Sequence, residues 1–308
     1  MAIGQTSLPA TVRRTPKRRI NRDMLLAILV ITPSILAVAV FIYSFIGWTF
    51  WISTVNWNTP VIDYTFVGLK NWMFMLGSSR FQIDLRNLVL YAVGFMSQCV
   101  IIGFVLASLL DQRIKGESVF RTIFIFPFAI SAVVTGVAWR WLMRPETGIN
   151  LLFDSVGLGF LKSKWFADPV WGILFITIAA SWQFSGYVMA LYLAGLRGIS
   201  NEIKEAAQID GCNSWNLYRR IIIPMVAPVT LTAIVLTGMG SIRVFDIVTV
   251  MSGSGQAFST DMLAFHMFEQ MFAASRFSLS AVIGAFMMIL SAFLLVPYLI
   301  SVRRESEQ

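Results

Sequence analysis

Met24–Ile62 reads MLLAILVITPSILAVAVFIYSFIGWTFWISTVNWNTPVI, thirty-nine residues without one Asp, Glu, Lys or Arg. A helix needs about 20 apolar residues to cross the hydrocarbon of a bilayer. The apolar part of a cleaved secretory leader runs to only about 7–15. The stretch therefore predicts a first spanning helix that is retained. Five more charge-free stretches follow at Asn87–Leu110, Thr122–Trp139, Pro169–Leu196, Ile221–Ile242 and Phe277–Val302. The shortest contains Pro127 and closes on Trp139-Arg140-Trp141, the aromatic and cationic pattern of a membrane interface. The expectation is an all-α polytopic bundle of six transmembrane helices. It forms one unit over 24–302, between a basic tail at 1–23 and a short tail at 303–308.

Composition agrees. Of 308 residues 57% are hydrophobic and 13% charged, where soluble proteins carry roughly 25% charge. The net charge of +8 does not point to nucleic acid, because six of the 24 basic residues, Arg13, Arg14, Lys17, Arg18, Arg19 and Arg22, crowd into the N-terminal tail. With both termini inside, fifteen Lys and Arg fall on the inner side and nine on the outer. Without the tail the two counts are equal, but the inner segments are much shorter and so denser in charge. This is the positive-inside pattern, and it makes both tails cytoplasmic. Cys99 lies in an apolar stretch and Cys212 in a polar loop, a difference in depth that argues against a disulfide. The single histidine, His266, has no Cys or His near it in sequence and reads as a loop residue without a metal-ligand spacing.

The inner loop at 197–220 is the most informative. Ser200 and Asn201 are helix-capping types, Glu202 suits a helix N-terminus, and Ile203–Ile209 are good helix formers. Gly211 stands where a helix ends in a left-handed residue, and Asn213 or Ser214 can cap a second helix. The loop predicts helix, glycine turn, helix. Ala206 and Ala207 supply a small-residue face that another protein can approach closely, with Glu205 beside it.

Polar groups inside a bundle cost free energy unless they serve packing or transport. Gln183 and Tyr187 are four apart on the helix entering the loop; Thr237 and Ser241 are four apart on the helix leaving it, with Gly240 between them. Spacing by four shares a helix face. Amides and hydroxyls there can meet the hydroxyls of a polar solute, and Tyr187 and Trp182 offer ring surfaces to its apolar face. Ser, Thr and Gly serve helix packing in membranes equally well. Gln98 and Thr135 receive no role.

The constellation Glu205, Ala206, Ala207, Asp210, Gly211 and Pro224, set between the fourth and fifth of six spans, resembles the signature EAA loop of the permease subunits of bacterial ATP-driven (ABC) sugar importers of type I. Phe66-Val67-Gly68-Leu69-Lys70-Asn71, Phe120-Arg121-Thr122, Pro127, Trp139-Arg140-Trp141-Leu142, Ala194-Gly195-Leu196 and Val244-Phe245-Asp246 are similar to that family's blocks in the same order. Two departures are Ser200, where the family carries proline, and Ser254-Gly255-Gln256, where it carries Gly-Gly-Pro. The resemblance implies that the loop is a coupling helix seated in a separate ATPase, with Glu205 paired to an arginine there. It also implies cavity-lining positions at Gln183, Phe184, Tyr187, Thr237, Gly240, Ser241 and Val244. The implied partners are an ATPase pair carrying ATP and Mg, a second permease and an extracytoplasmic sugar-binding protein, in the bacterial inner membrane. The chain has no G-x-x-x-x-G-K-[ST] stretch of its own, so no ATP, metal or other cofactor is expected on it. Leu110-Asp111-Gln112-Arg113, Val188-Met189-Ala190-Leu191 and Gly195-Leu196-Arg197-Gly198 look closest to glucose and mannose importers, with disaccharides and short oligosaccharides also open.

A secondary transporter of a small polar solute is the alternative reading. It calls for intramembrane carboxylates or broken helices, and the six charge-free stretches hold no Asp or Glu. A membrane enzyme calls for a Ser/His, His/Asp or metal constellation, which one isolated histidine does not supply.

Overall fold

The computed structural model describes residues 22–306 except 113. Most of the N-terminal tail, and residues 307–308, lie outside the described residues. The helices are α1 (Arg22–Ser53), α2 (Lys70–Gly77), α3 (Ser79–Asp111), α4 (Glu117–Ala129), α5 (Ala132–Leu142), α6 (Ile149–Ser155), α7 (Gly172–Arg197), α8 (Asn201–Ile209), α9 (Ser214–Leu217), α10 (Ile223–Met225), α11 (Ala227–Ile242), α12 (Asp246–Met251), α13 (Leu263–Phe268) and α14 (Phe277–Ser306). No strand occurs among the described residues; one isolated bridge joins Val55 and Phe66. The described residues up to Trp48 form one compact unit, an apolar helical segment, and those from Thr49 onward form a second.

Four helices are long and apolar enough to cross a bilayer by themselves, within Leu29–Ser53, Ser79–Asp111, Gly172–Arg197 and Phe277–Ser301. The other two expected spans are broken. α4 and α5 meet at 97°, and the Ser214–Met225 segment meets α11 at 65°. Pro127 withholds an N–H near the first break, but the chain leaves the helix at Ile130 and Ser131, both extended, and the Ser131 side chain then caps α5 through Val133 N at 3.3 Å. At the second break, Val226 separates α10 from α11 between Pro224 and Pro228, two residues without a donor.

Helix ends also differ from the charge-free stretches. α1 stops at Ser53, nine residues before Ile62, because Asn56, Asn58, Pro60 and Asp63 make a turn. Asn56 N donates to Thr65 O at 2.9 Å, and Asn56 Nδ2 to Asp63 at 2.8 Å. α3 begins at Ser79, so Arg80, Asp84 and Arg86 share a helix with the apolar run from Asn87. The span thus carries a carboxylate that a count of charge-free residues passes over.

The core sits between α3 and α7, which pack along their lengths through Tyr91, Phe95, Cys99, Ala107, Ile173, Ile176, Val188, Met189 and Tyr192, all buried. Gln98 Nε2 donates to Thr177 Oγ1 at 2.7 Å across this seam. Tyr192 Oη donates to Thr230 at 2.9 Å, tying α7 to α11. Both cysteine thiols are free, Cys99 in the core and Cys212 half-buried in the loop.

α13 (Leu263–Phe268) continues in a π turn over Glu269–Ala273. Phe268 and Phe272 are exposed on it. His266 is not a loop residue: it lies on α13, 2% exposed, with Nδ1 2.6 Å from Asp84 Oδ2 on α3. Its partner is 182 residues away in sequence, beyond any local spacing rule. Arg80 Nε donates to Asp261 Oδ2 at 2.6 Å, and the same guanidinium pairs with Glu269. Burial pushes the Asp261 carboxyl up to about 6; burial, and then the charge of Arg80, push the His266 imidazole down to about 4. The His266 ring thus meets Asp84 through Nδ1 and Gln270 through Nε2.

Candidate functional site

Two features lie along the α3–α7 pair: a polar loop at the C-terminal end of α3, and a cavity between α7, the α4–α5 break and α11. The loop follows the sequence pattern. Two residues past the end of α8, Gly211 stands at φ +77°, and Cys212 N donates back to Ala207 O at 2.9 Å, the six-to-one bond that closes a helix through a left-handed residue. Asn213 then caps α9, its side chain accepting from Asn216 N at 2.9 Å.

Orientation of α8 comes from a tertiary contact. Lys204 Nζ lies 2.8 Å from Asp111 at the end of α3, and Arg197 pairs with Glu117 at 2.7 Å just before the loop. Glu202, Glu205, Ala206 and Ile209, spaced i, i+3, i+4, i+7, share the opposite face and are all exposed. Ile209 is 87% exposed and Trp215 on α9 is 71% exposed. Asp210 and Pro224 are exposed as well. Ala207 is a correction to the sequence reading: it is 6% exposed and belongs to the chain's own core. With Lys204 held on Asp111, the next position one turn on also turns inward, so only Ala206 of the pair is open to approach.

The cavity holds about 470 Å³. Of the seven residues expected to line it, Gln183, Phe184, Tyr187, Gly240 and Val244 do so. Thr237 and Ser241 do not. Both are fully buried, and each hydroxyl bonds to its own helix, Thr237 Oγ1 to Ala233 O at 2.7 Å and Ser241 Oγ to Thr237 O at 2.9 Å. Their shared face is turned into the packing, where hydroxyls that bond back to the preceding turn leave no polar atom unpaired. Trp182 is also off the wall; it is half-exposed and packs edge-on against Trp139 at 6.0 Å. Thr135 is buried in α5 without a partner for its hydroxyl.

One side of the cavity is aromatic. Tyr187 stacks on Phe128 at 4.9 Å, Phe184 lies 5.3 Å from Tyr187, and Phe95 lies 5.7 Å from Phe184, centroid to centroid. Gln183 Nε2 donates to Ile130 O at 2.6 Å. That bond satisfies a carbonyl freed by the α4–α5 break, the condition on which non-helical backbone persists at membrane depth. Arg243 and Asp246, exposed at the end of α11 and the start of α12, complete the lining. Sequence reading names Asp246 only within a block and Arg243 not at all. Their one signal is charge immediately after an apolar span, and the bend of the chain past Ile242 is what brings them to the cavity.

Four unbroken apolar helices, two broken spans, a cavity at the breaks and an exposed polar loop on one end define an integral membrane transport component. The chain belongs to the family of binding-protein-dependent transport system inner membrane components, whose model matches residues 99–305. It is 38% identical to a probable ABC transporter permease of Pyrococcus horikoshii, over 94% of this chain and 97% of that one. It is 32% identical to a xylose/arabinose import permease of Haloferax volcanii, over 84% of this chain and 82% of the other. A crystal structure of a bacterial alginate ABC transporter, in complex with an alginate pentasaccharide-bound periplasmic protein, shares the fold. It has a TM-score of 0.77 at 19% identity and covers 94% of this chain and 97% of the matched one. The all-α class and the importer-permease fold therefore hold, and the spans number six when each bent pair is counted as one. Broken helices and the carboxylate of Asp84, which sequence reading reserved for a secondary transporter, occur here within a binding-protein-dependent permease.

Proposed function

We propose that this chain is the permease subunit of an ATP-driven sugar importer, supplying half of the translocation path and coupling it through the 197–220 loop to a separate ATPase pair that carries ATP and Mg. A second permease subunit supplies the other half of the path, and an extracytoplasmic sugar-binding protein delivers the solute. The loop and both tails, 1–23 and 303–308, are cytoplasmic on this reading. The observation that carries the substrate class is the wall of Phe128, Phe184 and Tyr187 beside the amide of Gln183. Stacked rings receive the apolar face of a pyranose while amide and charged groups meet its hydroxyls. A volume of about 470 Å³ lies in the lower half of the roughly 300–1,000 Å³ typical of small-molecule sites. The second permease adds to this space, so the glucose or mannose class, disaccharides and short oligosaccharides are all candidate solutes.

Uptake of labelled sugar by the reconstituted complex tests this. Tyr187→Ala removes a stacking surface worth about 0.5–1.5 kcal/mol, and uptake at limiting sugar is expected to fall by about 2- to 10-fold, with the complex assembling as before. Unaltered uptake would place the sugar elsewhere.

A further inference from the structure

We propose that Asp84, Asp261 and His266 form a zinc-class divalent cation site that fastens the segment between α12 and α14 to the N-terminal end of α3. The site is separate from the cavity and stands about 40 Å along α3 from the Lys204–Asp111 contact at the loop, at 1.5 Å per residue. The three side chains come from two distant parts of the chain, are 0%, 0% and 2% exposed, and place one ligand atom each within 4.8 Å of the others. Metal bonds of about 2.0–2.2 Å put tetrahedral ligand atoms roughly 3.3–3.6 Å apart, so a pair as wide as 4.8 Å must close, and the His266–Asp84 pair at 2.6 Å must open, by about an ångström.

Charge and hydrogen bonding both point to a cation. Asp84, Asp261 and Glu269 bring three carboxyl groups to a single guanidinium, Arg80, and one imidazole, an excess of acceptors that favours a cation. Asp84 Oδ1 is fully enclosed and has no hydrogen-bond partner among the described residues, which leaves a lone pair free for a metal. Asn87 Oδ1 and Gln270 Oε1, buried beside the same network, are likewise unpaired acceptors.

The surroundings also fit. Metal-bound histidines pass their second ring proton to an outer acceptor, and metal-bound carboxylates are held by outer donors. Gln270 Nε2 lies 3.0 Å from His266 Nε2. Turning that amide presents its unpaired oxygen to an Nε2–H, which is the tautomer that frees Nδ1 for a metal. Arg80 holds Asp261 Oδ2 at 2.6 Å. One imidazole with two carboxylates suits Zn²⁺, and less tightly Mn²⁺; Ca²⁺ and Mg²⁺ prefer all-oxygen shells.

The full chain, purified in detergent, stripped with EDTA and passed through gel filtration after incubation with metal, tests the site. Expected is one Zn²⁺ retained per chain, with a melting temperature several degrees above the stripped protein and no such shift from Mg²⁺ or Ca²⁺. Asp84→Asn and His266→Gln should each lose the retained metal and the shift. The wild-type measurement stands whether or not these variants fold. Failure of the wild type to retain Zn²⁺, retention undiminished in folded variants, or stabilisation by acid in place of zinc would each overturn the proposal.

Discussion

Glu205→Lys is expected to abolish ATP-driven transport and to release the ATPase from the complex, while the permease itself folds as before. Glu205 is exposed in the middle of the Glu202–Glu205–Ala206–Ile209 face, and no contact within the chain holds it among the described residues, so reversing its charge costs the isolated fold little. In the proposed complex the same carboxylate meets a cation of the ATPase, and truncating one partner of such an interfacial pair costs about 2–5 kcal/mol. Reversal adds repulsion. In that complex the exposed Ile209, on the same face, supplies an apolar contact beside the charge, so the interface loses its orienting contact. Co-purification of the ATPase with the variant permease, together with uptake by the same preparation, reads the outcome. If association and transport both survive, the loop is not the coupling element.

Gly186→Leu is expected to remove folded permease from the membrane altogether. A Cβ at Gly186 would stand 1.9 Å from Phe124 O and 2.6 Å from Phe124 C, backbone atoms that cannot rotate away. Even Gly186→Ala forces α4 and α7 apart, at a cost at or above the roughly 3 kcal/mol upper end of ordinary overpacking. Leucine adds three more carbons to the same gap. Close approach of α4 is what sets Phe128 on Tyr187 and Ile130 O on Gln183. A milder separation would therefore open the cavity wall before it unfolds the bundle. Thermal melting of the detergent-solubilised alanine variant, and the membrane yield of the leucine variant, measure the two effects.

Sequence reading reached the elements whose causes are local. Apolar runs located the six spans because burial in lipid is decided by composition over about 20 residues. Gly211 and Asn213 located the loop's turn and second helix because caps act on the nearest few backbone groups. What escaped depends on partners far away in the chain. The break at Ile130 and Ser131 is stabilised by Gln183, so a charge-free stretch looks the same whether it is straight or bent by 97°. Ala207 turns inward because Lys204 is held by Asp111, 93 residues earlier. Thr237 and Ser241 do share a face, as a spacing of four requires, but spacing does not say which way the face is turned. His266 looked solitary because its partner, Asp84, belongs to a helix that extends past the end of its apolar run.

The central claim is that ATP hydrolysis on another subunit, at the side of the Glu205 loop, drives solute through the cavity of this chain. The most direct measurement is sugar uptake into proteoliposomes of the complete complex, with sugar-loaded binding protein on one side of the membrane and ATP supplied to one side or the other. Uptake is predicted only when ATP and binding protein are on opposite sides, and none is predicted from a proton or sodium gradient without ATP. Accumulation driven by an ion gradient alone, with the ATPase idle, would contradict the account and restore the secondary transporter.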